Sequence, residues 1–190
     1  MLTRNLRRTL FCLLASALLP VSILVAQEAG DDIPGKKAPS VTITPVPLTD
    51  VVRGKEGTLT LHFHVGDGFH INSNTPSEEY LIPTALKLDV PTDIIVRKIG
   101  YPPGESMSFA FAPDEKLSVY SGSFDITVGL HLLSSVLPGK YQFRGQLKYQ
   151  ACDNASCYPP KQLPVGFEVK VLKAPPAHKA NPAQSPHIHG

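Results

Sequence analysis

The sequence predicts an all-β protein, specifically an immunoglobulin-like antiparallel sandwich. Three observations support this prediction. Apolar and polar residues alternate with a period of two in several segments, as in strands with one buried face. Turn-forming residues separate these segments, and no segment after the first 26 residues has a convincing helical period. About seven or eight short strands over roughly 130 residues are typical of a sandwich.

Four segments carry the strongest strand pattern. In the first of them, Leu59, Leu61 and Phe63 alternate with threonine and histidine residues, which gives the strand one apolar face. The strong segments are 59–65, 124–128, 143–149 and 167–171, and the weaker ones are 40–46, 84–90, 93–99 and 117–121. The turn signals between them are Gly66-Asp67-Gly68, Pro102-Pro103-Gly104, Pro113-Asp114 and Pro138-Gly139.

Both ends of the chain differ in composition from the strand-rich part. Residues 1–26 begin with a positively charged stretch, continue as an apolar run and end at Ala26, a pattern that indicates a cleaved signal peptide. We therefore expect export to the periplasm. An uncleaved anchor is the alternative, because the apolar run is barely long enough to span a bilayer. The further predicted parts are a flexible lead-in (27–38), the sandwich domain (39–172) and a disordered tail rich in proline and histidine (173–190).

The charge of the exported chain argues against nucleic acid as a partner. The whole chain has 18 Lys and Arg residues and 16 Asp and Glu residues. Removing the signal peptide removes Arg4, Arg7 and Arg8 but no acidic residue, which leaves a net charge of about −1. Phosphate binding requires a basic surface, so we expect no nucleic-acid partner.

The cysteine residues are the most distinctive chemical feature of the chain. Cys12 lies within the predicted signal peptide, which leaves Cys152 and Cys157 in a compartment where disulfides persist. Asp153 and Asn154 favour a turn between them, so we expect a hairpin with the two cysteines facing each other at its tip. Facing positions have Cα atoms about 4.5–5.5 Å apart, which a disulfide tolerates.

This pair has two possible functions. A disulfide that opens and closes with little backbone movement suits a thiol–disulfide exchange centre. The alternative is a structural disulfide in a non-catalytic sandwich that binds a periplasmic partner, and most disulfides of exported proteins are structural. The loop closed by the pair is short, however, and stabilises the fold by only about 2 kcal/mol. A domain of this size with its own core scarcely depends on that contribution.

Other candidate sites have weaker support. His62 and His64 share one strand face and lie close to His70, a spacing that can ligate copper or zinc. The polar face of a half-exposed strand explains them equally well, and we expect no metal site. No Ser–His–Asp arrangement, phosphate-binding glycine loop or carboxylate pair is evident. We therefore expect no bound cofactor and no hydrolase or nucleotide-binding activity.

Three stretches, in order and correctly separated, resemble a known family. The first is GFHINSNTPS followed by YLIPT (68–77 and 80–84), the second YPPG, FAF and LSVYSG (101–104, 109–111 and 117–122), and the third YQAC with CYPP (149–152 and 157–160). Over about residues 39–172 the chain is similar to the amino-terminal domain of the thiol–disulfide interchange protein DsbD and related periplasmic domains. The resemblance implies an immunoglobulin-like sandwich that passes electrons between thioredoxin-like proteins.

The resemblance also implies partners. They would be periplasmic thioredoxin-like proteins of the disulfide isomerase or cytochrome c maturation type. Full-length members continue into a membrane domain and a thioredoxin-like domain, neither of which is present in this sequence. We therefore expect a separate membrane protein to donate the electrons.

The resemblance assigns roles to individual residues. Cys157 would form the mixed disulfide with the partner, and Cys152 would resolve it. The segment 105–116 would supply a cap loop whose aromatic residue shields the pair, with Phe111 as the first candidate and Phe109 as the second. Two further aromatic residues, Tyr149 and Tyr158, would form a partly apolar wall that raises the pKa of the thiol.

Overall fold

Strand β3 (Glu56–Val65) illustrates how the sequence pattern produces the fold. The computed structural model describes residues 39–174, and in it Leu59, Leu61 and Phe63 are buried while the residues between them are exposed. This alternation places one face of the strand in the core and the other in solvent. The period-two prediction is confirmed for this strand.

Residues 39–174 contain twelve strands and no helix. The strands are β1 (Val41–Ile43), β2 (Thr49–Val52), β3 (Glu56–Val65), β4 (His70–Asn72), β5 (Ala85–Asp89), β6 (Ile94–Gly100), β7 (Glu105–Phe109), β8 (Ala112–Ser121), β9 (Ser123–Leu132), β10 (Gly139–Tyr149), β11 (Ala151–Cys152) and β12 (Lys161–Leu172). They form three four-stranded sheets, in the orders β1-β3-β9-β6, β2-β12-β10-β5 and β11-β4-β8-β7. The predicted all-β, immunoglobulin-like class is confirmed, and the one departure from antiparallel pairing is the parallel pair of β2 and β12.

The main hydrophobic core is built largely from the inward-facing residues of β3, β9, β10 and β12. Two stacked aromatic pairs belong to it, Phe63 with Phe124 and Phe143 with Phe167, at centroid distances of 5.4 Å and 5.0 Å. A second, smaller core lies at the third sheet and consists of Leu81, Phe109, Leu117 and Val119. This small core bears on the site because the third sheet carries Cys152.

Four of the strands, β2, β4, β7 and the two-residue β11, were not among the predicted segments. In β4 all three residues are buried, so the strand shows no alternation of apolar and polar residues. Glycine and asparagine residues surround it, and such residues are typical of turns. The tertiary pairing of β4 therefore overrides a local composition that favours a loop.

The segment 105–116, which was predicted to supply the cap loop, forms a β-hairpin, and its shielding role stays a prediction. It consists of β7 and the start of β8, with Phe109 paired to Ala112 and a two-residue turn at 110–111. Pro113 and Asp114, which were predicted to form a turn, lie within β8 at an irregularity in its pairing with β7. The regular register resumes at Leu117, so residues 113–116 are not part of it. A proline lacks the N–H that regular strand pairing needs, which is consistent with its place at the irregularity.

Gly122 connects the third sheet to the first. It lies between β8 and β9 and has a φ of 55°, in the left-handed region that favours glycine. Its carbonyl oxygen accepts a hydrogen bond from the backbone N–H of Val65 at 2.8 Å. The chain can therefore turn sharply out of the sheet that carries Cys152 and directly into the main core.

Several predictions about the ends of the chain lie outside the described residues. These are the signal peptide (1–26), the lead-in (27–38) and the tail from residue 175 onward, and they stay predictions. Between residues 39 and 174 no helix has the length and apolar character needed to cross a membrane.

We predict that Gly145 in β10 does not tolerate a side chain. A Cβ atom there would overlap the backbone carbonyl oxygen of Lys87 and lie 3.0 Å from the Cα atom of Leu88. Because both contacts are backbone atoms of the neighbouring strand, no side-chain rotation relieves them. We expect Gly145→Ala to lower the free energy of unfolding by about 1–3 kcal/mol in urea unfolding of the oxidised protein.

The matched control is Gly166→Ala in β12. A Cβ atom at Gly166 would have its nearest neighbour at 3.6 Å, an ordinary van der Waals contact. We expect this variant to differ from the wild type by less than about 0.5 kcal/mol. Equal effects of the two substitutions would contradict the steric explanation.

Candidate functional site

The two cysteines face each other across a tight turn. Hydrogen bonds from the backbone N–H of Asp153 to Ser156 (2.9 Å) and from Tyr158 to the residue before Cys152 (2.8 Å) flank the pair. Cys152 and Cys157 are therefore a non-hydrogen-bonded antiparallel pair, and they are joined by a disulfide. Their Cα atoms are 3.9 Å apart, closer than the expected 4.5–5.5 Å and closer than the roughly 4.5 Å of an ordinary pair of this type.

The carboxylate of Asp153 organises this turn. Its Oδ1 atom accepts hydrogen bonds from the backbone N–H groups of Ala155 (2.8 Å) and Ser156 (2.9 Å). Its Oδ2 atom accepts a hydrogen bond from the hydroxyl of Tyr158 (2.8 Å), whose ring packs edge-on against Phe69. The aspartate side chain thus satisfies turn amides that lack partners in a ladder, as is typical of an Asx turn. It also connects the turn to the aromatic residue after Cys157.

The two sulfur-bearing residues differ strongly in accessibility. Cys152 is fully buried, with 0% relative exposure, whereas Cys157 is exposed. Cys152 belongs to β11, which pairs with β4, while Cys157 lies beyond the turn and outside the regular strands. A protein that approaches from solvent therefore reaches Cys157 first.

A cleft of about 390 Å³ lies beside Cys157. Phe111, at the tip of the β7–β8 hairpin, is one of its walls, and Tyr80 and Leu81 form another part of the lining. Ala112, Gln150 and Ser156 complete that lining. Larger clefts of about 500 and 440 Å³ lie around Pro102 and Asp125, and neither is lined by a cysteine. The cleft beside the disulfide is therefore the one that bears on the chemistry, although it is smaller.

The two predicted cap residues occupy different positions. Phe109 is buried in the small core and stacks on the imidazole of His70, with a centroid distance of 3.8 Å and an interplanar angle of 14°. Phe111 is half-buried, and its ring is nearly parallel to those of Phe109 and His70, at centroid distances of 5.5 Å and 6.4 Å. The three rings form one cluster that extends from β4 to the hairpin tip, where Phe111 borders the cleft beside Cys157.

Tyr149 and Tyr158, which were predicted to form an apolar wall at the thiol, also differ in position. Tyr149 is buried in the main core, where burial raises the pKa of its hydroxyl and a hydrogen bond with the backbone of Val41 opposes that shift. Tyr158 is half-buried and bonded to Asp153 in the turn itself. Of the two, Tyr158 lies directly after Cys157, and the predicted wall function of both residues stays a prediction.

His70 is the feature of the site that the sequence patterns did not reveal. It lies in β4 directly opposite Cys152 of β11, and its side chain is buried, with 4% relative exposure. Burial lowers the pKa of His70 from 6.5 to about 4, and the charge of nearby Asp153 opposes this shift. Because His70 and Cys152 are about 80 residues apart in sequence, no local pattern could have placed them together.

His62 and His64, the histidines of the alternating segment 59–65, each contact a polar side chain of the neighbouring strand. Nδ1 of His62 lies 2.7 Å from Oδ1 of Asp125, and Nδ1 of His64 lies 3.2 Å from the hydroxyl oxygen of Ser123. Both partners belong to β9, the neighbouring strand. Within residues 39–174 no group of three or more His, Cys, Asp or Glu side chains is arranged to hold a metal ion.

The family of the chain follows from a match over most of its length. The family model for the N-terminal part of the thiol:disulfide interchange protein DsbD matches residues 43–167. The chain belongs to this family. A comparison with curated proteins found no match.

Solved structures similar to this member of the DsbD N-terminal family have low sequence identity. The reduced DsbD N-terminal domain of Neisseria meningitidis is 17% identical, with 62% of this chain and 85% of that chain covered and a TM-score of 0.39. A chain in a complex of the DsbD and PilB N-terminal domains from the same organism is 18% identical, with 73% of this chain and 88% of that chain covered and a TM-score of 0.42. The seventh ScaB type I cohesin of Pseudobacteroides cellulosolvens is 13% identical, with 74% of this chain and 97% of that chain covered and a TM-score of 0.44.

We predict that the buried His70 makes the stability of the oxidised protein depend on pH. The unfolded chain binds a proton at His70 near pH 6.5, whereas the folded protein does so only near pH 4. The unfolded state therefore binds more protons between these values, and the free energy of unfolding falls as the pH falls from 6.5 to 4. The full loss is on the order of 3 kcal/mol.

Urea unfolding of the wild type and of His70→Gln between pH 4 and pH 7.5 measures this contribution. The overall stability of the variant is not informative, because the substitution also changes packing. We expect the difference between the two curves to change with pH only in the window from 4 to 6.5. Parallel curves across that window would contradict the prediction.

We predict that Phe111 limits access to the cysteine pair. Phe111→Ala removes the ring that borders the cleft beside Cys157. We expect the reduced variant to react with iodoacetamide several times faster than the reduced wild type, as measured by mass spectrometry. Met107→Ala is the control, because Met107 is exposed on the same hairpin and does not line the cleft. Identical rates for Phe111→Ala and the wild type would show that the ring does not shield the pair.

Proposed function

We propose that this domain is a periplasmic thiol–disulfide exchange module that passes electrons between thioredoxin-like proteins through Cys152 and Cys157. The observation that carries the proposal is the unequal exposure of the two cysteine residues in a member of the DsbD N-terminal family. An exposed cysteine bonded to a buried one favours attack at the exposed residue. Cys157 is then the sulfur that bonds to the partner, and Cys152 is the leaving and resolving group.

The exchange is balanced in electrons and protons. A thiolate of the donor protein attacks the sulfur of Cys157, the Cys152–Cys157 bond breaks, and its electron pair stays on Cys152. The second thiol of the donor loses its proton and attacks the mixed disulfide, which releases Cys157 as a thiolate. The donor leaves as a disulfide, and the two protons from its thiols are taken up through solvent by the two cysteines. The reverse sequence reduces an acceptor protein.

The surroundings of Cys157 suit a protein partner. Tyr80 is 67% exposed and lines the cleft beside Cys157 together with Leu81 and Phe111, which gives that part of the surface an aromatic and apolar character. The hydroxyl of Tyr80 donates a hydrogen bond to Glu115 of β8 at 2.7 Å, so its ring is held against the hairpin. Exposed aromatic residues around a reactive group are typical of protein-binding surfaces.

The signal-peptide pattern of residues 1–26 and the family both support a periplasmic location for the module. The acceptors are periplasmic thioredoxin-like proteins of the disulfide isomerase or cytochrome c maturation type. The donor is a membrane electron carrier. The alternative function, a binding sandwich with a structural disulfide, requires a bond that resists exchange, and the exposure of Cys157 argues against such protection.

Equilibration in graded glutathione buffers tests the proposal. We expect the pair of the purified protein to open and close reversibly between about −180 and −270 mV, the range of periplasmic and thioredoxin-type exchange. Free thiols are counted by alkylation and mass spectrometry. A bond that stays closed to below about −300 mV and reacts only after denaturation would identify a structural disulfide and overturn the proposal.

Two single-cysteine variants test the separate roles. Each is incubated with a thioredoxin variant that keeps only its nucleophilic cysteine and carries an activated mixed disulfide there. We expect Cys152→Ser, which retains the exposed Cys157, to form the linked complex at least ten times faster than Cys157→Ser, as measured on non-reducing gels. Equal rates, or a faster reaction of Cys157→Ser, would contradict the assigned order of the two sulfurs.

A further inference from the structure

His70 and Cys152 are neighbours on one face of the third sheet. In the antiparallel pairing of β4 with β11, His70 lies directly opposite Cys152. Side chains of directly opposite residues point to the same side of a sheet, with Cβ atoms about 4.5–5.5 Å apart. The imidazole and the buried sulfur therefore share a small volume that solvent does not reach.

One face of the His70 imidazole packs against another aromatic ring. The imidazole stacks on Phe109, which belongs to the small core and stacks in turn on Phe111. Among the described residues, the Nε2 atom of His70 is buried and has no hydrogen-bond partner. A buried polar atom without a partner is destabilising, so such an atom beside a reactive bond requires an explanation.

The chemistry of the disulfide supplies that explanation. While the bond is closed, the sulfur of Cys152 carries no charge and only weakly accepts hydrogen bonds. When the bond opens, the electron pair stays on Cys152, where a fully buried sulfur becomes a thiolate. A buried charge needs a nearby donor, and a neutral imidazole can provide an N–H group.

The groups around His70 are consistent with a neutral ring. Asp153, directly after Cys152, is the charged group that acts on it, and burial outweighs this charge in setting the protonation of the ring. A neutral imidazole in this place donates a hydrogen bond without giving up its proton. The protons of the exchange therefore still come from the thiols of the partner.

We propose that His70 is a positioning residue for the exchange: when the disulfide opens, its Nε2–H group donates a hydrogen bond to the sulfur of Cys152. The inference rests on the exchange function proposed above. The hydrogen bond exists only in the reduced and mixed-disulfide states, so it stabilises the leaving thiolate and favours the reduced form of the pair. A lower pKa of the leaving sulfur also speeds its departure.

The equilibrium between the cysteine pair and glutathione measures how strongly the reduced form of the pair is favoured. His70→Phe keeps a ring that can stack on Phe109 but removes the nitrogen atoms. We expect its equilibrium constant for reduction to fall about tenfold, which corresponds to a potential 29.6 mV more negative. His70→Gln retains an amide N–H and is expected to restore most of the loss. A merely structural role would not distinguish these two variants in this way.

The nitrogen resonances of His70 provide a second measurement on the wild type, which does not depend on the folding of a variant. We expect the ¹⁵N resonance of Nε2 to move between the disulfide form and the form reduced with excess phosphine. An unmoved resonance, together with equal equilibrium constants for the wild type and His70→Phe, would overturn the role of His70 while exchange itself stands. If glutathione does not open the bond but the resonance moves after phosphine reduction, the hydrogen bond stands and the exchange function fails.

Discussion

The pairing of β4 with both β11 and β8 is the interaction on which the site depends. Ile71, at the centre of β4, is fully buried and lies opposite Ala151 on one side and Tyr120 on the other. Because β11 has only two residues, its position relies on this neighbour and on the turn that follows. Among the strands of residues 39–174, β11 is the outer strand of its sheet, and β4 is its one neighbour within it. The burial of Cys152 therefore depends on this pairing.

The turn after β11 keeps the second cysteine, Cys157, exposed. Asp153 satisfies the turn amides with its own carboxylate, so the loop needs no covering element and can remain at the surface. Cys157 consequently stays exposed although its Cα atom is 3.9 Å from that of Cys152. A single backbone feature, a narrow pair closed by an aspartate turn, therefore leaves one cysteine buried and the other exposed. The proposed order of attack on the two cysteines depends on this difference.

The sequence predicted those parts of the molecule whose causes are local. Period-two alternation identified strands such as β3, and the turn formers Asp153 and Asn154 placed the two cysteines opposite each other. The predicted cap residue Phe111 lies beside Cys157, but its segment is a hairpin rather than a loop. The role of β4 was not predictable, because a three-residue strand buried on both faces has no periodic pattern. The position of His70 depends entirely on that strand.

The cluster of His70, Phe109 and Phe111 bears on how a partner would reach Cys157 in the proposed exchange. Phe109 lies in the small core and contacts the imidazole at 3.8 Å, and exposing a fully buried phenylalanine costs about 1.5–3 kcal/mol. Phe111 is half-buried at a two-residue turn, so moving it costs less. In the proposed exchange a partner can therefore displace Phe111 while Phe109 stays on His70. The buried Cys152 and its neighbouring imidazole then remain protected from water, because Phe111 moves and Phe109 does not.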